Sequence, residues 1–142
     1  RVPIAPASLQ RHPDLTLTRG DLPQPIPADG VLEVNLTATF GEGAVDGCYE
    51  VAEVVPSGLA PLAIGRGNTD ETGITWPISV VGQEVRFCAF NDPATGRTAR
   101  LRYEARVVNT GSFTWEPGVL QYPGAPELQA STPAWTTRIG SP

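Results

Sequence analysis

Two cysteines, one histidine and a few loop carboxylates are the side chains of this 142-residue chain that could do chemistry. Cys48 and Cys88 cannot complete a structural zinc site, which takes four ligands, and His12 is the only histidine. A disulfide between the two cysteines is the preferred reading, with two buried free thiols as the alternative. Such a bridge closes a loop of about 40 residues, which the chain-entropy model values at about 4 kcal/mol before native strain is subtracted. It would also place the chain in an oxidising, extracytoplasmic compartment. His12 sits between Arg11 and Pro13 with no nucleophile partner, so a Ser-His-Asp or Cys-His arrangement has no support. Asp70 and Glu71 are adjacent in a polar loop, and Asp46 and Asp92 lie in others. Loop oxygens can hold calcium, but the EF-hand spacing is missing, and solvated turn carboxylates account for them. Glu50 and Glu53 are three residues apart, which on a strand puts them on opposite faces and excludes a paired-carboxylate site. No glycine-rich phosphate loop opens a helix. The expectation is therefore a domain that is not an enzyme and carries no metal or other cofactor. Asn35-Leu36-Thr37 matches the N-glycosylation acceptor pattern. Trp76, Trp115, Trp135, Tyr49 and Tyr103 read as core or rim aromatics. Tyr122, in the Pro/Gly-rich run PGVLQYPGAP, reads as an exposed contact residue.

The elements that would position these residues are short strands. Asp14 to Arg19 alternates apolar and polar residues, and 20–30 is a proline-rich crossover. Val31 to Phe40 puts Leu32, Val34, Leu36, Ala38 and Phe40 on one face and Glu33, Asn35, Thr37 and Thr39 on the other, the pattern of a half-buried antiparallel strand. Cys48 to Val55 is the next strand, ended by Pro56-Ser57-Gly58. Leu59 to Ile64 is a short or edge strand, 65–73 a polar loop, and 74–81 an edge strand at best because of Pro77. Glu84 to Phe90 and Thr98 to Val108 are strands joined by the turn 91–97. In the second of these, Ala99, Leu101, Tyr103, Ala105 and Val107 face inward. Asn109-Thr110-Gly111 turns into Ser112 to Trp115, residues 116–133 show no strand period, and Trp135 to Ile139 is the last strand. Both cysteines take the outward parity of their strands, so a bridge requires those strands to be neighbours. No segment sustains a 3.6-residue period. Seven or eight short strands separated by turns predict an all-β, antiparallel β-sandwich over residues 14–142, with 1–13 as a lead-in.

Composition bounds the partners. Apolar residues make up 40% of the chain and the net charge is −5, too apolar and too weakly charged for a disordered tail. The acidic balance argues against nucleic acid, and Arg97, Arg100, Arg102 and Arg106 read as the solvated face of a strand. All ten cations are arginines, so a lysine-dependent isopeptide crosslink is excluded. No apolar run approaches the ~18 residues of a membrane span. The absence of methionine leads to the expectation of a piece of a longer protein.

The order LTLTR, DGVLEVNLTATF, CYEVAEVVPSGLAPL resembles the C-terminal macroglobulin-type, receptor-binding-like domain of bacterial alpha-2-macroglobulins. Glu53-Val54-Val55-Pro56-Ser57-Gly58-Leu59 matches that family's acidic strand end and Leu-Pro-Ala-Gly-Phe-like turn. The run ARLRYEARVVNTGSFTWEPGVLQYPGAPE is similar to its later strand, turn, aromatic-x-x-Pro and Met-Tyr-x-Pro order, with Asn109-Thr110-Gly111 at the Pro-Gly turn and Gln121 in place of Met. The tail STPAWTTRIG resembles the final strand. The resemblance implies a non-catalytic domain of a secreted or surface-bound protease inhibitor. Its partner would be a thioester domain elsewhere in the parent, with proteases met only indirectly. The family's thioester motif, Cys-x-x-Gln, does not occur here. By position the resemblance makes Tyr122 the residue that contacts and shields the thioester domain. The lysine-based receptor recognition of animal relatives does not carry over. The competing reading is a stalk or adhesion sandwich from a bacterial surface protein.

Overall fold

The computed structural model describes residues 12–140. In chain order the strands are β1 (Leu15–Arg19), β2 (Val31–Phe40), β3 (Gly47–Val54), β4 (Leu59–Pro61), β5 (Ile74–Thr75) and β6 (Ser79–Val81). They continue with β7 (Glu84–Asn91), β8 (Thr98–Val107), β9 (Gly111–Trp115), β10 (Val119–Tyr122), β11 (Ala125–Ser131) and β12 (Trp135–Ile139). One five-stranded sheet runs β1-β2-β8-β4, with β5 pairing in parallel with β8. The other runs β11-β10-β3-β7-β6, and β9 pairs with β12 alone. This is the all-β sandwich class expected from the alternation.

The period-two pattern sets which side chains are buried. Leu32, Val34, Leu36, Ala38 and Phe40 of β2 and Ala99, Leu101, Tyr103 and Ala105 of β8 are buried, as are Tyr49, Val51, Val85, Phe87 and Ala89 of the opposite sheet. Together they form one contiguous apolar cluster. Aromatic pairs cross the interior: Phe40–Tyr49 at 4.7 Å and Phe87–Tyr103 at 6.2 Å between ring centroids.

Twelve strands are described where seven or eight were expected. Pro77, which has no N–H to give a ladder, divides the expected 74–81 strand into β5 and β6. Residues 116–133 hold β10 and β11, which the sequence reading leaves as irregular. Their prolines and glycines sit in the connections, at 117–118, 123–124 and 133, and Pro126 is tolerated because β11 is the edge of its sheet. The 20–30 crossover is anchored by Ile26, which is fully buried and bridges to Ile139. Of the expected lead-in, only His12 and Pro13 lie within the described residues. The His12 amide donates to the Gln129 carbonyl at 2.8 Å.

Candidate functional site

Strands β3 and β7 are antiparallel neighbours, with Glu50 opposite Cys88 and Cys48 opposite Phe90. Cys48 and Cys88 are thus diagonal partners on the outward face, with Cα atoms 5.4 Å apart, and they form a disulfide. The neighbour condition set by their parity is met, and Cys48 is exposed.

Tyr122 ends β10 instead of lying in an irregular loop. It is half-buried, its ring 4.9 Å from Tyr49, which continues to Phe40. Gly47 and Gly124 flank it, and a Cβ on Gly124 would come within 3.3 Å of the ring. The Tyr49 hydroxyl donates to the Val45 carbonyl at 2.8 Å, and burial raises its pKa above the ordinary tyrosine value, with Tyr122 adding to the effect.

The polar feature that the sequence reading missed is buried between the sheets. Glu53 on β3 is fully buried. Arg19 at the end of β1 donates from Nε to its Oε2 at 3.1 Å and from Nη2 to its Oε1 at 2.7 Å. The Tyr103 hydroxyl and Trp115 Nε1 also donate to Oε2, at 2.8 and 3.2 Å. Arg19 Nη2 reaches Thr132 Oγ1 at 3.2 Å, and Thr132 Oγ1 accepts from the Gly118 amide at 2.8 Å. The guanidinium carbon lies 4.8 Å from the Trp115 ring centroid, and Trp115 and Trp135 stack at 6.3 Å with 20° between planes. A buried carboxylate is tolerated only when paired and fully hydrogen-bonded, and three side chains from separate strands, Arg19, Tyr103 and Trp115, meet that condition here. Burial and the Glu53 carboxylate push the Tyr103 hydroxyl well above the ordinary tyrosine pKa. The signal was present in the parity: Arg19 follows Leu15 and Leu17, and Glu53 follows Tyr49 and Val51, so opposite charges stand on two inward faces. Beside this network opens a cavity of about 530 Å³, lined by Arg19, Gly20, Asp21, Leu22, Gln24, Pro133 and Trp135.

Two of the loop carboxylates, Asp70 and Asp92, serve as local caps. Asp70 accepts from the Thr72 hydroxyl and amide, the Ile74 amide and Trp76 Nε1, at 2.6–3.1 Å. These donors, the Thr72 hydroxyl first, hold its carboxyl well below the usual carboxylate range. Asp92 accepts from the Ala94 amide. Asp46 pairs with Arg97, which also donates to buried Asn91. Among the described residues no group of three or more His, Cys, Asp or Glu side chains could hold a metal ion. Glu50 is exposed while Glu53 is buried, so the two do stand on opposite faces. Asn35 faces outward, bonded to Glu33 and Arg102. No described helix is long and apolar enough to cross a membrane.

No family model and no curated protein matches the chain. Solved structures do. A mutant of Salmonella alpha-2-macroglobulin is 15% identical, with a TM-score of 0.68 over 89% of this chain and 9% of that one. Native Escherichia coli alpha-2-macroglobulin, spanning domain MG7 to the C-terminus, is 13% identical, with a TM-score of 0.69 over 93% of this chain and 25% of that one. The chain thus spans a quarter or less of the macroglobulins it matches. A non-cellulosomal cohesin from the archaeon Archaeoglobus fulgidus is 13% identical, with a TM-score of 0.55 over 90% of this chain and 92% of that one. At these identities the likeness is one of fold: the chain has the fold found in the C-terminal region of bacterial alpha-2-macroglobulins.

Proposed function

We propose that this chain is the non-catalytic C-terminal domain of a bacterial alpha-2-macroglobulin-like protease inhibitor, working outside the cytoplasm and packing against a thioester domain elsewhere in its parent. The observation that carries the reading is the fold match over about nine-tenths of the chain to bacterial alpha-2-macroglobulins. The motif order from Leu15 to Gly140 points the same way, and the Cys48–Cys88 disulfide suits an oxidising compartment. Tyr122 suits a domain contact: its ring is held on Tyr49 between two glycines, and its hydroxyl takes part in none of the hydrogen bonds described above. A tyrosine so placed offers apolar area and one polar tip to a partner.

The test is made on the parent protein. Its reading frame is expected to carry one Cys-x-x-Gln motif upstream of a single copy of this domain, and the purified parent is expected to incorporate labelled methylamine at that cysteine. Tyr122→Ala is expected to raise the rate of incorporation. An unchanged rate removes Tyr122 from the contact, and a parent without the motif overturns the reading. The stalk or adhesion reading is favoured by one observation, the match to nearly the whole of the cohesin. Tandem copies of this unit would establish it instead.

A further inference from the structure

We infer that the cavity beside Arg19 is a binding site for an uncharged, extended peptide segment that inserts a bulky apolar side chain and offers a backbone carbonyl to the Arg19 guanidinium. The inference does not rest on the macroglobulin reading. The cavity, at about 530 Å³, is within the range of sites that enclose ligands. Its apolar wall is Leu22, Pro133 and the half-buried Trp135. Trp135 is held by its stack on Trp115, so the wall is formed before any partner arrives. Preorganisation of this kind reduces the ordering cost of binding.

The polar anchor is built as well. The Arg19 side chain is only 6% exposed, yet it lines the cavity. Nε and Nη2 are committed to Glu53 and Thr132, while Nη1 takes part in none of the described hydrogen bonds. A guanidinium locked in place, with Nη1 outside the described hydrogen bonds, keeps a donor for an acceptor that a ligand in the cavity would supply.

Charge decides which acceptor it takes. Arg19 is already neutralised by Glu53 at 2.7 Å, and Asp21 on the rim adds a negative charge with no cation among its described partners. A ligand carboxylate would therefore meet two carboxylates and one guanidinium, whereas a neutral carbonyl accepts the hydrogen bond without the repulsion. This preference separates the site from an ordinary arginine anion site.

The test uses the 142-residue chain, 15N-labelled, titrated with N-acetyl-phenylalaninamide and, separately, with N-acetyl-phenylalanine, which differs by one carboxylate. The amide is expected to shift the Trp135 indole and the Leu22 and Gln24 resonances saturably, with Kd in about the millimolar range for so small a probe. The free acid is expected to bind about fivefold more weakly. Trp135→Ala is expected to abolish the shifts. Asp21→Asn, an exposed change that leaves the fold intact, is expected to narrow the gap between the two probes. Saturable shifts elsewhere, no saturation at all, or equal or tighter binding of the acid would each overturn the inference.

Discussion

At the scale of single residues, Glu53 carries the largest individual consequence. It is fully buried and accepts from Arg19, Tyr103 and Trp115. Glu53→Ala leaves the Arg19 guanidinium buried without its counter-charge, and breaking a buried pair in this way costs about 3–5 kcal/mol. Tyr103→Phe removes one donor of several and is expected to cost about 1 kcal/mol. Urea unfolding of both variants checks the ranking, with the midpoint falling and the slope unchanged. Asp70 is the acid-sensitive residue. Its depressed pKa means that its contribution to stability is fully present above about pH 4, the unfolded aspartate value. That contribution is lost as pH falls through the lower folded value. The Trp76 indole resonance is thus expected to hold its native position at pH 4 and to move only in stronger acid, whereas in Asp70→Asn it is displaced at neutral pH. A native indole shift in the variant would show that the Asp70 carboxylate does not hold Trp76.

At the scale of elements, β3 is joined twice to its neighbour β7, by eight register pairs and by the disulfide. Because the ladder positions the cysteines independently of the bond, Cys48→Ser/Cys88→Ser is expected to keep its β-sheet circular dichroism while losing stability, by at most about 4 kcal/mol. Loss of the sheet spectrum at 25 °C would mean that the bridge, and not the ladder, organises the pair. The turn between β9 and β10 is equally constrained. Gly118 donates its amide to Thr132 Oγ1, and a Cβ there would stand 2.7 Å from Glu53 Oε1. Gly118→Ala therefore intrudes on the buried ion pair and is expected to cost about 1–3 kcal/mol, the range for overpacking a filled core. Thermal unfolding measures it. The long strands were legible because β2 and β8 alternate without interruption over ten residues each. Strands β10 and β11 were not, because β10 is four residues long, too short for a period to appear, and β11 has Pro126 next to its first residue and shows buried alternation only at Leu128 and Ala130.

At the scale of the whole molecule, the facing sheets bring Arg19, Glu53, Tyr103, Trp115 and Thr132 together across separations of up to 113 residues. The sandwich thus carries a buried ion pair in an interior whose other buried polar side chains, Thr75, Asn91, Thr132 and Thr137, are uncharged. Replacing both members of such a pair by apolar side chains is often neutral or stabilising. Arg19→Met/Glu53→Leu, with Tyr103→Phe to avoid a stranded hydroxyl, is accordingly expected to be more stable than Glu53→Ala alone. Comparison of the two urea midpoints checks this, and equal midpoints would show that the charges had not been the source of the loss.

The sequence by itself determined the class of the fold, the faces of its long strands and the outward parity of the two cysteines. Each of these follows from local alternation, which is a property of neighbouring residues. It also held the parity that points Arg19 and Glu53 inward. Tertiary structure alone decided that these two meet, that Cys48 and Cys88 lie on adjacent strands, and that a cavity opens beside Arg19. Those facts depend on which strands pair and on how two sheets face one another. The relation joins residues far apart in the chain, and no local period records it.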